Sequence, residues 1–334
     1  MIEITPWHWV GFILFVLGAI AADLGLFQRR ARAVTFAEAL AWSALWLALA
    51  LLFAGLLGLL RNREESTQFL TGYLIELSLS LDNILVIALV FGAFQVPPAL
   101  QRRVLVWGIL GALAMRGAMI GAGVALVQHF KWVLYVFGVF LVVTGARMLW
   151  ARPEPVEPEK NPVVRLARRF FPVAPALDGR KFLTRVNGRW ALTPLMLVLL
   201  LVETTDLIFA VDSVPAVLAI TQKAYLVFTS NVFAVLGLRS LYFLLADAIR
   251  RFRHLKFGLA AVLVLVGVKM LLDPHDHAPQ WFQVKISTTL SLCVIALVLA
   301  AAIGFSLATG NGERVDAGRR APRDRTNTGG RSNG

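Results

Sequence analysis

Long apolar runs separated by short polar stretches dominate the chain. Nine of them, at 7–27, 38–60, 67–94, 104–128, 132–150, 191–220, 224–248, 256–272 and 285–309, approach or exceed the roughly 20 residues that cross a bilayer's hydrocarbon. Inside membrane only helices satisfy their own backbone, short of a closed barrel. The pattern therefore predicts an all-α polytopic membrane protein of about nine transmembrane helices. Composition agrees: 58 % of the 334 residues are hydrophobic and 16 % charged, more apolar surface than a single soluble core could absorb. Two runs, 67–94 and 191–220, are the longest and carry most of the acid.

The longest polar interruption, 151–190, opens RPEPVEPEKNP and continues RLARRF. Its prolines oppose helix at the start, and the basic part reads as a surface segment. On either side the order of landmarks repeats. LDN at 81–83, MRG at 115–117, HFK at 129–131 and GARML at 145–149 answer to TDL at 205–207, LRS at 238–240, HLK at 254–256 and GVKML at 267–271. Four pairs in one order point to an internal duplication of three-helix units. The expected organisation is a transporter core over 1–309, with repeat one at 67–150, a cytoplasmic linker at 151–190 and repeat two at 191–272. A disordered basic tail follows at 310–334, low in apolar residues and rich in Gly, Arg and Asn. The linker position gives the two units opposite membrane orientations, an architecture in which transporters place substrate near the midplane.

The net charge of +13 is a matter of distribution. If the spans alternate, 24 of the 33 Lys and Arg fall on one side, in 28–37, 95–103, 151–190, around 250–256 and after 309. Arg61, Arg63, Lys131, Lys223 and Lys285 fall on the other. The excess predicts a plasma-membrane protein with its N-terminus outside and its C-terminus in the cytoplasm. The same distribution makes the lipid bilayer, not nucleic acid, the partner of the basic charge. Arg29 is the first basic residue and follows the first run, so that run lacks the positive flank of a cleaved signal and is expected to remain as an anchor. Cys293, the one cysteine, excludes an internal disulfide. No HExxH, GxGD or GxSxG occurs, and the expectation is a protein that is not an enzyme, with no permanently bound cofactor.

Charge inside the runs is the exception that needs a reason. Glu76, Asp82, Glu203, Asp206 and Asp212, with Arg116 and Arg239, lie deep within spans. Alone in lipid they would cost on the order of 20 kcal/mol together, so they must face inward, pair or be neutralised. Arg147 and Lys269 lie near span ends and are expected to snorkel to the interface. In ELSLSLDN, residues 76–83, Glu76 and Asp82 are separated by about 120° on a regular helix. The serines between them suit a locally unwound segment as well as a helix. In ETTDLIFAVDSVPA, residues 203–216, Glu203 and Asp206 share a face, and Pro215 is expected to kink the helix and turn Asp212 inward. With Asn83 these acids form an oxygen-rich set, which suits hard divalent cations such as Mn2+, Ca2+ or Mg2+ rather than Zn2+ or Cu+. Five acids outnumber two arginines, so simple pairing does not absorb them all, although Glu76 or Glu203 could be an arginine's structural partner. Asp23, near the end of the first run, is either an ion-path residue or an interface cap. The loop DPHDHAP at 273–279, with His275, Asp276 and His277, is a weak candidate for collecting metal.

ELSLSLDN, ETTDLIFAVDSVPA, the inverted units and GVKML resemble the TerC family over roughly residues 5–309. That family was named for tellurium resistance and is grouped with LysE-like transporters, and several members are implicated in Mn2+ export. The resemblance implies metal export, with Glu76, Asp82, Asn83, Glu203, Asp206 and Asp212 as the matching motif positions. The leading expectation is a divalent-metal exporter, Mn2+ foremost, coupled to protons. In it Asp82, Asp206 and Asp212 bind the ion and Glu76 or Glu203 exchanges protons. The alternatives are export of a small organic solute such as a basic amino acid, or a scaffold in metal or tellurite stress without transport.

Overall fold

The structure, a computed structural model, describes residues 4–28, 35–150, 160–186, 188–245, 255–273 and 283–319; within its helices the side chains of 23–28, 255 and 307–319 are not described. The DPHDHAP loop beyond Asp273, His254, residues 151–159 and residues 320–334 lie outside the described residues, as does the side chain of Asp23. The elements are α1 (Pro6–Gln28), α2 (Phe36–Leu60), α3 (Arg63–Ala93), α4 (Pro98–His129), α5 (Val133–Trp150), α6 (Pro162–Phe170), β1 (Leu183–Val186), β2 (Arg189–Leu192), α7 (Pro194–Leu218), α8 (Ala224–Leu245), α9 (Leu255–Leu272) and α10 (Thr288–Arg319). Each predicted apolar run is occupied by one helix. Among the described residues seven helices are long and apolar enough to cross a membrane, and their exposed leucines, such as Leu52, Leu59 and Leu297, suit a hydrocarbon surround.

The polar interruptions supply the helix starts. Asn62 caps α3 by accepting from the Glu65 amide at 2.7 Å, and Thr193 caps α7 with Pro194 in the first turn, where a missing N–H costs nothing. The Thr193 hydroxyl also donates to the Lys181 carbonyl at 2.8 Å. This ties α7 to a short hairpin, β1 against β2, that the sequence reading did not foresee.

Three pairs of helices, α3 with α7, α4 with α8 and α5 with α9, pack antiparallel. Along α3 and α7, Glu65 meets Lys223 just past the end of α7, while Asn83 meets Asp206 midway along it. Between α4 and α8, Gln101 bonds Tyr242 and Gly117 lies against Phe228. Between α5 and α9 the backbones themselves touch. A methyl at Gly145 would stand 2.8 Å from the Ala260 carbonyl oxygen, and one at Gly267 2.8 Å from that of Gly138. Only glycine permits that approach. Around these pairs α1 and α2 add an aromatic cluster on α8, with Phe12, Phe53 and Phe233 in mutual ring contact. α10 packs on α9 and α3.

Of the two backbones open to ELSLSLDN the structure takes the helix: α3 is continuous, and the Ser78 hydroxyl bonds the Leu74 carbonyl one turn back and so is satisfied within it. α7 likewise runs unbroken through Pro215, which sits one turn from its end, where a lost amide bond disturbs little. Lys269 does not snorkel but is 5 % exposed, lying within electrostatic reach of Asp273 at the end of α9. α10 continues to Arg319.

Candidate functional site

The centre is built where α3, α4 and α7 meet. Arg116, on α4, is 1 % exposed and reaches both acid-bearing helices. Its Nε and Nη2 donate to Oδ2 and Oδ1 of Asp206, each at 2.9 Å, and its Nη1 donates to Oε1 of the fully buried Glu76. Asn83 adds a bond from its Nδ2 to Asp206 Oδ1 at 3.2 Å. The planar guanidinium suits this task because its donors fork in one plane and serve two carboxylates at once.

Two carboxylates thus share one cation, and they do not exhaust the oxygen. Glu76 Oε2 and Asn83 Oδ1 are buried without a hydrogen-bond partner, as are Ser80 Oγ on α3 and Glu203 Oε2 and Ser213 Oγ on α7. Buried polar groups are nearly always bonded, so a concentration of orphaned acceptors on two facing helices is unusual. Glu203 lies one turn before Asp206 and its carboxylate rests against Gly111 of α4, in space a methyl group would fill.

The remaining predicted residues are placed elsewhere. Asp82 is turned away from Glu76, within electrostatic reach of Lys256 on α9. Asp212 is within hydrogen-bond reach of the Thr144 hydroxyl on α5. Both displacements have one cause: six residues along a continuous helix rotate a side chain by about 120°. Arg239 is buried on α8, whereas the hydrogen bonds of Glu76 and Asp206 run to Arg116. The predicted six-residue ligand set is therefore not gathered into one shell, and among the described residues no three Asp, Glu, His or Cys side chains are placed to hold a metal ion. Glu76, Asn83 and Asp206 do come together, with Glu203 beside them.

Sequence reasoning missed Gly111 and Thr144, since neither carries a motif signal. It also missed a second ion-pair cluster at the far end of α3, where Glu65 is held by Arg61 and by Lys223. The i, i+4 spacing of Arg61 and Glu65 was a legible clue to that one.

Residues 61–311 match the family described as "Integral membrane protein TerC family". The membrane protein STKORF319 of Myxococcus xanthus is 50 % identical over 303 residues, covering 91 % of this chain and 92 % of that relative. The Escherichia coli K12 protein named "Putative membrane-bound redox modulator Alx" is 44 % identical over 310 residues, covering 90 % and 96 %. A membrane protein of Rickettsia bellii is 34 % identical over 284 residues, covering 85 % and 94 %. No solved structure matches the chain. With a family match across three quarters of its length and relatives aligned nearly end to end, this chain belongs to the TerC family of integral membrane proteins.

Proposed function

We propose that the protein exports a divalent metal ion across the plasma membrane, Mn2+ foremost, in exchange for protons. The observation that carries this reading is the under-satisfied oxygen centre. Arg116 bonds two carboxylates, a third lies alongside, and several acceptors have no donor. Oxygen ligands of this kind suit a hard cation such as Mn2+, Ca2+ or Mg2+. Nitrogen or sulfur ligands do not contribute.

On this reading the Arg116 guanidinium, seated between Glu76 and Asp206, serves as a resident counter-ion. An entering ion engages the free oxygens of Glu76, Asn83 and Glu203, and Arg116 withdraws as Asp206 turns to the metal. Return of the arginine, and of a proton to Glu203 or Glu76, releases the ion on the other side. Antiparallel α3 and α7 supply the two halves of the centre, as expected of a midplane site in oppositely oriented units. Asp82 and Asp212, on other faces of α3 and α7 toward Lys256 and Thr144, are stations on the path.

The test is total cell metal, with Mn, Ca, Mg, Fe and Zn measured together, in cells with and without the protein. Cells lacking it should retain Mn2+, and Asp206→Asn should fail to restore efflux while still inserting in the membrane. Normal efflux from that variant would remove the proposal. A redox role, carried by the name of the E. coli relative, is a second reading. With one cysteine, Cys293, exposed on α10, such a role here would act through metal content rather than through an intramolecular thiol pair.

A further inference from the structure

Helix α6, in the linker before the second unit, divides its circumference three ways. At 100° per residue, Val164 and Ala167 share one sector, and that sector packs against the bundle. Val164 is fully buried in the same apolar cluster as Leu195 and Val198 of α7, with Ala167 packed beside it. Val163, Leu166 and Phe170 share the next sector and face outward, 38 %, 56 % and 70 % exposed. Arg165, Arg168 and Arg169 occupy the third and are exposed. A helix that leaves Leu and Phe uncovered beside three arginines is neither a soluble surface helix nor a core helix.

Its depth is set by its packing. Because Val164 joins the cluster that contains the first turns of α7, α6 lies at the level where that span begins. Two further residues there have the character of a membrane–water boundary. Trp190, on β2, is exposed and carries the Arg185 guanidinium 4.8 Å above its ring, and Phe171, just past α6, is 46 % exposed. Tryptophan paired with arginine is typical of the headgroup layer.

We propose that α6 is an interfacial helix that docks this end of the bundle onto anionic phospholipid. Val163, Leu166 and Phe170 enter the acyl boundary, and Arg165 and Arg169 contact lipid phosphates. The charge selects the occupant. A second copy of the chain would oppose arginine to arginine, whereas an anionic leaflet complements the whole sector. Since α6 is clamped on α7, the contact also steadies the start of the helix that carries Glu203 and Asp206. The inference does not depend on what the protein transports.

The experiment uses the full chain in a Cys293→Ser background, reconstituted in bilayers with and without phosphatidylglycerol. A fluorophore is attached at Phe170→Cys or, separately, at Arg165→Cys, and quenching by lipids spin-labelled high on the acyl chain is measured. The label at 170 should be quenched roughly threefold more than the label at 165. That difference should grow with phosphatidylglycerol and shrink at high salt. Arg165→Gln combined with Arg169→Gln should abolish the growth at 170 without lowering the quenching seen in neutral lipid. Equal quenching at the two positions, or quenching at 170 indifferent to anionic lipid, overturns the proposal. So does shielding of the 170 label that tracks dimer formation instead of lipid composition.

Discussion

Glu76 and Glu65 are both buried acids on α3, three turns apart, and the structure treats them in opposite ways. At the end of the helix one carboxylate is held by two cations. Arg61 approaches Glu65 with two bonds of 2.8 Å and Lys223 with one of 2.7 Å, and the Asn62 side chain receives the backbone amide. Both Glu65 oxygens are engaged, and Lys223 is half open to solvent. At the middle of the helix one cation is shared by two carboxylates, Arg116 and Glu76 are shut away from solvent, and oxygens are left over. The same residue types thus make a strut in one place and an acceptor site in the other. What separates them is the ratio of donors to acceptors and the depth at which it is set.

The harshest way to break the comparison is Arg116→Ala. It strands Glu76 and Asp206 together without a cation, and removal of one partner from a buried pair costs about 3–5 kcal/mol. A large fall in unfolding temperature in detergent is expected. Arg116→Lys should recover only part of it, because an ammonium cannot bond both oxygens of Asp206 and reach Glu76 as well. If Arg116→Ala unfolds no earlier than the parent, the central network is not what holds these helices together.

Gly111→Ala sharpens the functional side. The added methyl occupies space now filled by the Glu203 carboxylate, so the acid must swing aside at a stability cost of about 1–3 kcal/mol. Metal efflux should drop several-fold, out of proportion to the change in unfolding temperature. Efflux that falls only as far as protein abundance falls would make Gly111 a packing residue and nothing more.

The smallest effect belongs to the strut. Lys223→Ala removes one of three bonds to Glu65 from the solvent side, where exposed pairs are worth about 0–1 kcal/mol. Stability should shift slightly, and the parent's advantage should fade in high salt. A loss as large as that of Arg116→Ala would erase the distinction between the two clusters.

Much of this was legible beforehand, for reasons that can be named. The ends of α2, α5, α8 and α9 fall within a few residues of the predicted runs, since hydropathy and the first polar or proline residue act locally. That the deep acids and arginines must face inward, pair or be neutralised followed from the cost of leaving them apart in lipid. Which arginine takes which acid did not follow. Arg116 and Arg239 hold equivalent places in the sequence, yet the bonds of Glu76 and Asp206 run to Arg116. The serines of ELSLSLDN and the proline of ETTDLIFAVDSVPA were ambiguous because helix and unwound backbone satisfy them almost equally in isolation. Gly111 and Thr144 matter only through what lies across from them.

The order and character of the chain alone determined that it would be a bundle of membrane helices, with acid concentrated on two of them, because the transfer of each segment into lipid depends on that segment's own side chains. The rotation of α3 and α7 was decided only in three dimensions. Their unbroken geometry faces Glu76, Asn83 and Asp206 toward one guanidinium and carries Asp82 and Asp212 off to other neighbours. Hydrogen-bond partners are relations between helices, and they exist only once the helices have packed.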